Sequence, residues 1–428
     1  MSYKKQAVVV GLLLRLQHVW AAPQGTKVLA ARAEPANFTA NPSIGGGGTI
    51  FKDSAHFRLY NNTGSEESTD IALAHLEASY DCYIVGLGYR STGLSYYDED
   101  DTGPWTKTNV YYSPDIDAGG LMNTDWETGL GWLQINPNYI TDAGYLSHEY
   151  GHIVTHSQKR WVDQDNTSAW WETWANWFAD TYKTSDICAA ARAAHGRPVD
   201  KTEFYPDVTV GNSHLPIVVA GTNGNLYRAW PFMTYLTTNL DNIPNAGLDI
   251  MRQINIQYRS GSGETPLHTL QRILGPIGPI VGRYWSRMAY VDIDNPVARE
   301  YFWQKYSTLT FDNVDQNSNG SYTVKPARSP GYMGASMIPL NVTSSNVRVD
   351  ITANGTYTAS LAFFNGKTNA TRYVDVVETA TTGVSADEEV TLVVANTPKE
   401  LITYNGYEPI PELYYGLDFT FRLCGATA

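Results

Sequence analysis

Two histidines and a glutamate lie at a spacing that suits metal-assisted hydrolysis. His148, Glu149 and His152 form an HExxH motif. Residues four apart share one face of a helix, so both imidazoles can bind one metal ion while Glu149 lies beside the bound water as a general base. Asp142 is a suitable N-cap, and we expect a helix over residues 141–156. The alternative is a solvated helix that carries these residues by chance.

A catalytic zinc ion usually takes three protein ligands and keeps one position for water. The pattern HExxHxxGxxH fails here, because Thr155 and Gln158 stand where it needs a glycine and a histidine. The other common solution is a glutamate on the next helix, and Glu172 lies twenty residues after His152. We therefore predict that His148, His152 and Glu172 bind Zn²⁺.

The second helix also offers a partner for one of these ligands. We expect this helix over residues 168–182, with Ser168 as its N-cap. Asn176 lies one turn after Glu172 and faces the same way. Its side chain can accept a hydrogen bond from the free ring N–H of His148 and so fix the orientation of the imidazole.

This set of residues resembles the thermolysin-type gluzincin metallopeptidases at His148, Glu149, His152, Glu172 and Asn176. In that family the two histidines and the downstream glutamate bind zinc, the motif glutamate is the base, and a carboxylate one turn later orients the first histidine. Asn176 stands where those enzymes have aspartate, which weakens the charge of that bond but not its geometry. The resemblance implies a zinc metalloendopeptidase with a zincin-like catalytic domain.

A narrower resemblance rests on the tryptophan-rich segment around Glu172, the stretch Tyr227–Phe232 and the short C-terminal strands. Together they look like a group of secreted gluzincin-like proteins of fungi and bacteria that includes virulence and avirulence proteins of plant pathogens. Some of the tryptophans must pack in the core, and one or two could line a cleft.

Hydrolysis of a peptide bond develops an oxyanion that needs a hydrogen-bond donor. The candidates are Tyr227, His214, Tyr235 and Arg228. We favour Tyr227, because some gluzincins carry a transition-state tyrosine in this region; packing in the core or at the rim is the alternative. His214 follows Gly-Asn-Ser in a segment that could form a loop reaching the cleft.

The segment 129–133 precedes the motif helix and is a candidate for substrate binding. We predict that it forms an edge strand that pairs with an extended peptide, with Gly131 and Trp132 as substrate-binding residues. An interior strand is the alternative.

Two weaker patterns remain. His156 continues the face of the metal ligands, but we favour packing or support, because the ligand count is already met. Asp315, Asn317 and Asn319 resemble half of a calcium loop. Pro326 stands where the closing glutamate would be, so Ca²⁺ is a weak expectation and a polar turn is the reading we favour.

Composition excludes several classes of function. The 30 basic and 43 acidic side chains give a net charge of −13, which argues against a nucleic-acid partner. Three cysteines are too few for a disulfide scaffold or a four-cysteine metal module. Cys82, Cys188 and Cys424 allow three single pairings, and the sequence does not choose among them. No apolar run after the N-terminal region is long enough to span a membrane.

The N-terminal segment predicts export. Residues 1–21 combine a basic start, an apolar stretch and a small residue suited to cleavage, which is the pattern of a signal peptide. We therefore expect a secreted, extracellular protein with no membrane association after cleavage. Seven N-x-[ST] sequons agree with a glycoprotein, although high Asn and Thr content is the alternative. They begin at Asn37, Asn61, Asn166, Asn319, Asn341, Asn354 and Asn369.

The composition and the apolar periodicity along the chain predict its domain boundaries. Residues 22–50 are rich in Ala, Pro and Gly and suggest a flexible arm or short pro-segment. We expect an α+β zincin-like catalytic domain over 51–311, with a mixed sheet and then mostly helices, and a linker over 312–334. Alternating strands without helices predict a β-sandwich over 335–428.

Three functions compete on this basis. The first is a secreted zinc endopeptidase that acts on an extracellular protein or glycoprotein. The second is a zinc hydrolase that uses the same site on glycan-linked substrates. The third is a non-enzymatic effector or binding protein that uses the β-sandwich; the intact His148, Glu149, His152 and Glu172 argue against it.

Overall fold

The computed structural model describes residues 38–61, 63–161, 163–220 and 225–428. The predicted signal peptide and residues 22–37 of the predicted arm lie outside the described residues. The described chain has a mixed α+β architecture with one mixed sheet, a group of helices and two antiparallel sheets near the C-terminus. This confirms the fold class at that level.

The described residues form ten α-helices and fifteen strands, with seven short 3-10 or π segments between them. The helices are α1 Glu66–Tyr80, α2 Ala143–Ser157, α3 Gln164–Thr184, α4 Ala189–Ala194, α5 Pro206–Thr209, α6 Pro231–Thr238, α7 Ile250–Gln257, α8 Pro266–Leu274, α9 Ile277–Met288 and α10 Pro296–Lys305. The strands are β1 Phe51–Asp53, β2 Phe57–Tyr60, β3 Thr108–Tyr112, β4 Gly120–Asp125, β5 Leu130–Ile135, β6 Val314–Gln316, β7 Tyr322–Val324, β8 Ala335–Val342, β9 Asn346–Ala353, β10 Tyr357–Asn365, β11 Ala370–Val376, β12 Thr379–Gly383, β13 Glu388–Asn396, β14 Phe419–Cys424 and β15 Ala426–Thr427.

The N-terminal sheet has the order β1-β2-β3-β5-β4. The three central strands are parallel, and β1 and β4 are antiparallel to their neighbours. The prediction of an edge strand at 129–133 is therefore wrong, because β5 is paired on both sides and β4 forms the edge. Gly131 faces Ile153 of α2, whereas Trp132 lies on the other face of the sheet against Tyr111.

Residues 38–50, expected to belong to a flexible arm, instead pack on this sheet. Phe38 and Ile44 are buried. The side chain of Asn109 donates to the carbonyl of Ile44 at 3.0 Å, and the hydroxyl of Tyr111 donates to the same carbonyl at 2.5 Å. The two apolar side chains explain the difference, since burying them holds this part of the segment on the sheet.

The two C-terminal sheets share a core. Their orders are β11-β10-β13-β8-β15 and β12-β9-β14-β7-β6, and all pairs are antiparallel. Residues from both sheets, such as Leu361 and Phe421, form one apolar cluster. The segment 312–334, expected to be a linker, contributes β6 and β7 to the second sheet. Their alternating apolar residues, such as Tyr322 and Val324, fill this core.

The other face of the first C-terminal sheet packs against the helices. Phe364 and Val393 belong to the main core that also contains the residues of α2, α3 and α9. The hydroxyls of Ser286 and Ser360 form a buried hydrogen bond of 2.5 Å between α9 and β10. The helical and C-terminal parts therefore have a continuous core, and the boundary near 312–334 stays a prediction.

Cys82 and Cys188 form a disulfide, and Cys424 is free and exposed. The bridge ties the segment after α1 to the segment before α4. Within the part of the chain that the structure describes, no helix has both the length and the apolar character needed to cross a membrane.

Candidate metal centre

The motif helix forms as its sequence predicts. Asp142 is the N-cap of α2, and its carboxylate accepts hydrogen bonds from the backbone N–H groups of Gly144 at 2.8 Å and Tyr145 at 3.3 Å. This satisfies two of the N–H groups that have no partner at the start of a helix. His148 and His152 follow on one face of the helix.

The second helix starts earlier than expected. α3 begins at Gln164 with Asp163 at the N-cap position, so Ser168 lies inside the helix and is wrong as its N-cap. Ser168 is buried, and its hydroxyl has no hydrogen-bond partner among the described residues. The polar residues 164–167 extend the helix by one turn. Gly151 lets α3 approach α2, because a Cβ there would meet the ring of Phe178 at 2.8 Å.

The packing of α2 on α3 brings three ligand atoms together. The Nε2 atoms of His148 and His152 lie 3.2 Å apart. Oε2 of Glu172 lies 3.1 Å from the first and 3.5 Å from the second. Ligands about 2.1 Å from a metal ion are separated by roughly 3.4 Å in tetrahedral geometry and by about 3.0 Å in octahedral geometry. The triangle of donors therefore has the size that one metal ion with bonds of this length needs.

Asn176 fixes the ring of His148. Its Nδ2 donates to the carbonyl of Tyr227, which can only accept, so its Oδ1 must face the histidine. That oxygen lies 2.7 Å from Nδ1 of His148, which is then the protonated nitrogen. Nε2 of the neutral ring is left with a lone pair that points at Glu172 and His152. Three lone pairs so close together repel one another unless a proton or a metal cation lies between them.

Burial and neighbouring charges shift the pKa values of two of the candidate ligands. Burial alone would lower the pKa of His148, but the hydrogen bond that its ring donates to Glu172 and the charges of Glu149 and Glu172 outweigh it, so the pKa is raised. Burial alone would raise the pKa of Glu172, and the hydrogen bonds to His148 and His152 hold it well below its usual range. Glu172 is therefore a carboxylate that is ready to bind a cation.

Glu149 lines the same cavities as these ligands but does not belong to the cluster of ligand atoms. It is 6% exposed and lines the clefts on both sides of the site. Gly120, the first residue of β4, packs directly on it, because a Cβ at this position would lie 2.5 Å from Cγ of Glu149. The Gly119-Gly120 pair was a signal in the sequence for such a close approach, and the sequence analysis missed it.

Two cavities meet at the ligands. One has a volume of about 840 Å³ and is lined by His148, Glu149 and the first residue of β4. The other has a volume of about 550 Å³ and is lined by the same two residues, by most of β4 and by His152. The free edge of β4 therefore runs along a cleft that extends to both sides of the candidate centre.

Of the four candidate oxyanion donors, the structure brings two to the cleft. Tyr227 lines both cavities and is 45% exposed, with its ring 6.1 Å from that of His148. Burial and the charges of Glu172 and Glu149 raise the pKa of Tyr227 to about 12. Arg228 lines the larger cavity.

The other two candidates lie elsewhere. His214 lines neither cavity, and its carbonyl accepts a hydrogen bond from the N–H of Gly331. Burial lowers the pKa of His214 to about 4. Tyr235 is buried and donates to Asp241 at 3.0 Å. Gly131 and Trp132 also line neither cavity, because β5 is an interior strand.

The smaller cavity has aromatic walls. Trp171 and His156 line it, and His156 stacks on Tyr96 with ring centroids 5.2 Å apart, which agrees with packing rather than ligation. The other tryptophans of α3, Trp170, Trp174 and Trp177, are buried in the core.

A segment far along the chain, residues 404–407, also lies close to the helix that carries Glu172. The segment 404–407 packs on the first turns of α3, where the N–H of Gly406 donates to the carbonyl of Asp165 at 2.8 Å. Tyr407 is 57% exposed, and burial together with the charge of Glu172 raises its pKa. No local pattern in the sequence predicts that Tyr407 interacts with Glu172.

The half calcium loop forms the turn between β6 and β7. The side chain of Asn317 donates to the hydroxyls of Ser321 and Thr323, both at 2.9 Å. The side-chain oxygen of Asn319 accepts from the hydroxyl of Ser321 at 2.7 Å. The polar groups are thus used within the turn, and calcium binding stays a prediction.

Comparison with known proteins adds the family but no activity. No curated protein matches the chain. A family model described as a family of unknown function, DUF6055, matches residues 60–386 and so includes both helices of the candidate centre. The chain belongs to the DUF6055 family.

Proposed function

We propose that this protein is a secreted zinc-dependent metallopeptidase of the gluzincin type. The observation that carries the proposal is the convergence of three ligand atoms at 3.1–3.5 Å, with the buried Glu149 beside them and an open cleft in front. His148, His152 and Glu172 would hold the ion, and Asn176 would orient the first of them.

Zinc, when bound, lowers the pKa of a water molecule and polarises a carbonyl group. Glu149 takes the proton of the attacking water and delivers it to the leaving amine. Tyr227 donates a hydrogen bond to the oxyanion that develops, and a pKa of about 12 keeps its hydroxyl protonated at neutral pH. The free edge of β4 offers backbone groups to an extended peptide.

We also propose that the N-terminal part has a zincin-like fold and that the C-terminal part is a β-sandwich. A zincin-like catalytic part is supported by a mixed sheet whose antiparallel edge strand packs beside the HExxH helix. A β-sandwich is supported by two antiparallel sheets that enclose a common apolar core.

Secretion is supported by two features besides the N-terminal sequence. The disulfide between Cys82 and Cys188 suits an oxidising compartment. The sequon asparagines in the described residues are exposed at five positions and half-buried at Asn166.

A glycan-bearing substrate is the second candidate. Four aromatic side chains at the two cavities expose 38–54% of their surface and offer flat faces that sugar rings can stack on. They are Trp126, Tyr145, Tyr205 and Tyr227. Digestion of one glycoprotein before and after removal of its glycans distinguishes this candidate from an ordinary peptidase.

The proposal is tested with Glu149→Gln and a peptide library. We expect the purified wild-type protein to cleave peptides, and the variant to retain zinc and lose turnover, because Glu149 is the base and not a ligand. Glu67→Gln, on the exposed start of α1, is the matched control and should behave as wild type. Wild-type turnover by Glu149→Gln would contradict the mechanism, and a wild-type protein that cleaves no peptide would contradict the activity.

A further inference from the structure

Two cations that line the larger cavity, Arg228 and Lys201, have no ion-pair partner among the described residues. Arg228 lines this cavity together with His148 and Glu149. Within the described residues, no carboxylate lies within ion-pair distance of its guanidinium group, and no side chain or carbonyl accepts a hydrogen bond from it. The guanidinium group of an arginine has five N–H donors, and these are therefore free to bind a ligand in the cavity.

The position of Arg228 is nevertheless fixed. Its guanidinium carbon lies 3.6 Å from the centroid of the Tyr205 ring, which is a cation–π contact. Its carbonyl accepts a hydrogen bond from the hydroxyl of Thr209 at 3.0 Å. The preceding residue, Tyr227, is held by Asn176. The side chain therefore lies on an aromatic surface in a segment that is anchored to the candidate metal centre.

Among the described residues, no carboxylate that lines the cavity forms an ion pair with Arg228. Glu203 is paired with Lys183 at 2.5 Å, and the carboxylate of Asp142 caps α2. Glu300 accepts from Gln304 at 3.4 Å on the exposed face of α10. The charges of Glu149 and Glu172 together match those of one divalent cation. Arg228 and Lys201 remain as positive groups that line the cavity, and only Arg228 directly follows Tyr227, which Asn176 holds at the candidate metal centre.

We propose that Arg228 forms a subsite for a carboxylate group of the substrate. A planar guanidinium group recognises a carboxylate through two parallel hydrogen bonds, and stacking on Tyr205 leaves its edge free for them. The inference rests on the proposed peptidase function and specifies its substrate class as an acidic peptide. The carboxylate comes from an aspartate or glutamate side chain or from the C-terminus of the peptide.

Matched peptides test the preference. Three peptides differ at one position near the cleaved bond or at the C-terminus. The first carries glutamate and the second carries glutamine at that position, and both have an amidated C-terminus. The third carries glutamine and has a free C-terminal carboxylate. A hydrogen bond between two charged groups is stronger than one to a neutral amide, so we expect kcat/KM for the better acidic peptide to exceed that of its neutral partner by roughly tenfold or more. Preference for the glutamate peptide assigns the side chain as the source, and preference for the free acid assigns the C-terminus.

Variants assign the preference to a residue. Arg228→Gln should reduce the acidic-to-neutral ratio to about one, and Arg228→Lys should restore part of it. Arg259→Gln, which removes an arginine with a 64% exposed side chain away from the cleft, is the matched control and should keep the ratio. Equal losses of kcat for acidic and neutral peptides in Arg228→Gln would overturn the inference, because they would mark Arg228 as an oxyanion donor.

A binding experiment decides the question without turnover. Zinc-loaded Glu149→Gln protein is titrated calorimetrically with the glutamate and glutamine peptides. Tighter binding of the acidic peptide, abolished by adding Arg228→Gln, supports the subsite. Equal affinities, or no binding of either peptide, would overturn it. If the peptides bind with the expected preference but the wild-type protein cleaves none of them, the peptidase proposal fails and the carboxylate subsite stands.

Discussion

Replacing Asn176 by aspartate separates two tasks that its amide group performs at once. The Oδ1 atom accepts from His148 at 2.7 Å, and the Nδ2 atom donates to the carbonyl of Tyr227. Aspartate keeps the first bond and makes it charge-assisted, which roughly doubles its strength. It removes the second bond, because a carboxylate oxygen then faces a carbonyl oxygen.

The magnitudes follow from these contacts. Asn176→Asp should bind zinc as tightly as the wild-type protein or more tightly, because His148 stays oriented. Its kcat should fall by about tenfold or more, since Tyr227 loses its anchor and loss of an oxyanion donor costs about 10²–10³-fold. Asn176→Ala breaks both bonds and leaves a ring N–H without a partner, which costs about 1–3 kcal/mol, and should weaken zinc binding by roughly ten- to a hundredfold.

Zinc affinity from competition with a chelator, measured beside kcat, tests both parts. Asn346→Asp, at an exposed position at the start of β9, is the matched control and should change neither quantity. An Asn176→Asp protein with wild-type kcat would refute the role of the amide in holding Tyr227. An Asn176→Ala protein with wild-type zinc affinity would refute its role in orienting His148.

Two further predictions concern pH and the C-terminal sheets. The raised pKa of His148 means that protons compete with the metal at a higher pH than for an ordinary histidine, so zinc affinity should fall as the pH is lowered from about 8 to 6, with protons released on binding; an affinity independent of pH over this range, in chelator competition, would contradict it. A chain that ends at residue 311 loses Phe364 and Val393 from the main core and should be insoluble or unfolded in sedimentation and circular dichroism, whereas a soluble, zinc-binding fragment would show that the sheets are accessory.

The helices of the candidate centre could be predicted because their signals are local. The HExxH spacing, the cap at Asp142 and the single-turn offset between Glu172 and Asn176 depend only on helical periodicity. The predicted start of α3 was wrong because the sequence offers two suitable N-cap residues, Asp163 and Ser168, which lie little more than one turn apart. The polar residues between them can be read either as a loop or as an exposed helical turn.

The sheet order could not be predicted in the same way. Alternation identified β5 as a strand, but it does not reveal which neighbour covers it, and pairing is decided by contacts with distant segments. The edge strand β4 ends in the polar residues 123–125, so its alternation of apolar and polar residues is weak. The interaction of Tyr407 with Glu172 depends on the packing of segment 404–407 on α3, which lies far away in the sequence.

One signal for the shared core was present in the sequence. The runs Leu361–Phe364 and Leu392–Ala395 are apolar at every position rather than alternating. Such runs indicate strands that are buried on both faces. In the structure one face packs on the second C-terminal sheet and the other on α9. Simple alternation, which the sequence analysis used for residues 335–428, therefore does not describe these two strands.

The metal content of the purified full-length protein tests the central claim most directly. Inductively coupled plasma mass spectrometry should find about one zinc per chain in the wild-type protein and in Glu149→Gln, because the three ligands are intact in both. Glu172→Ala removes a ligand and should lose most of the metal. A wild-type protein without zinc after mild purification, or a Glu172→Ala protein with the full amount, would contradict the account.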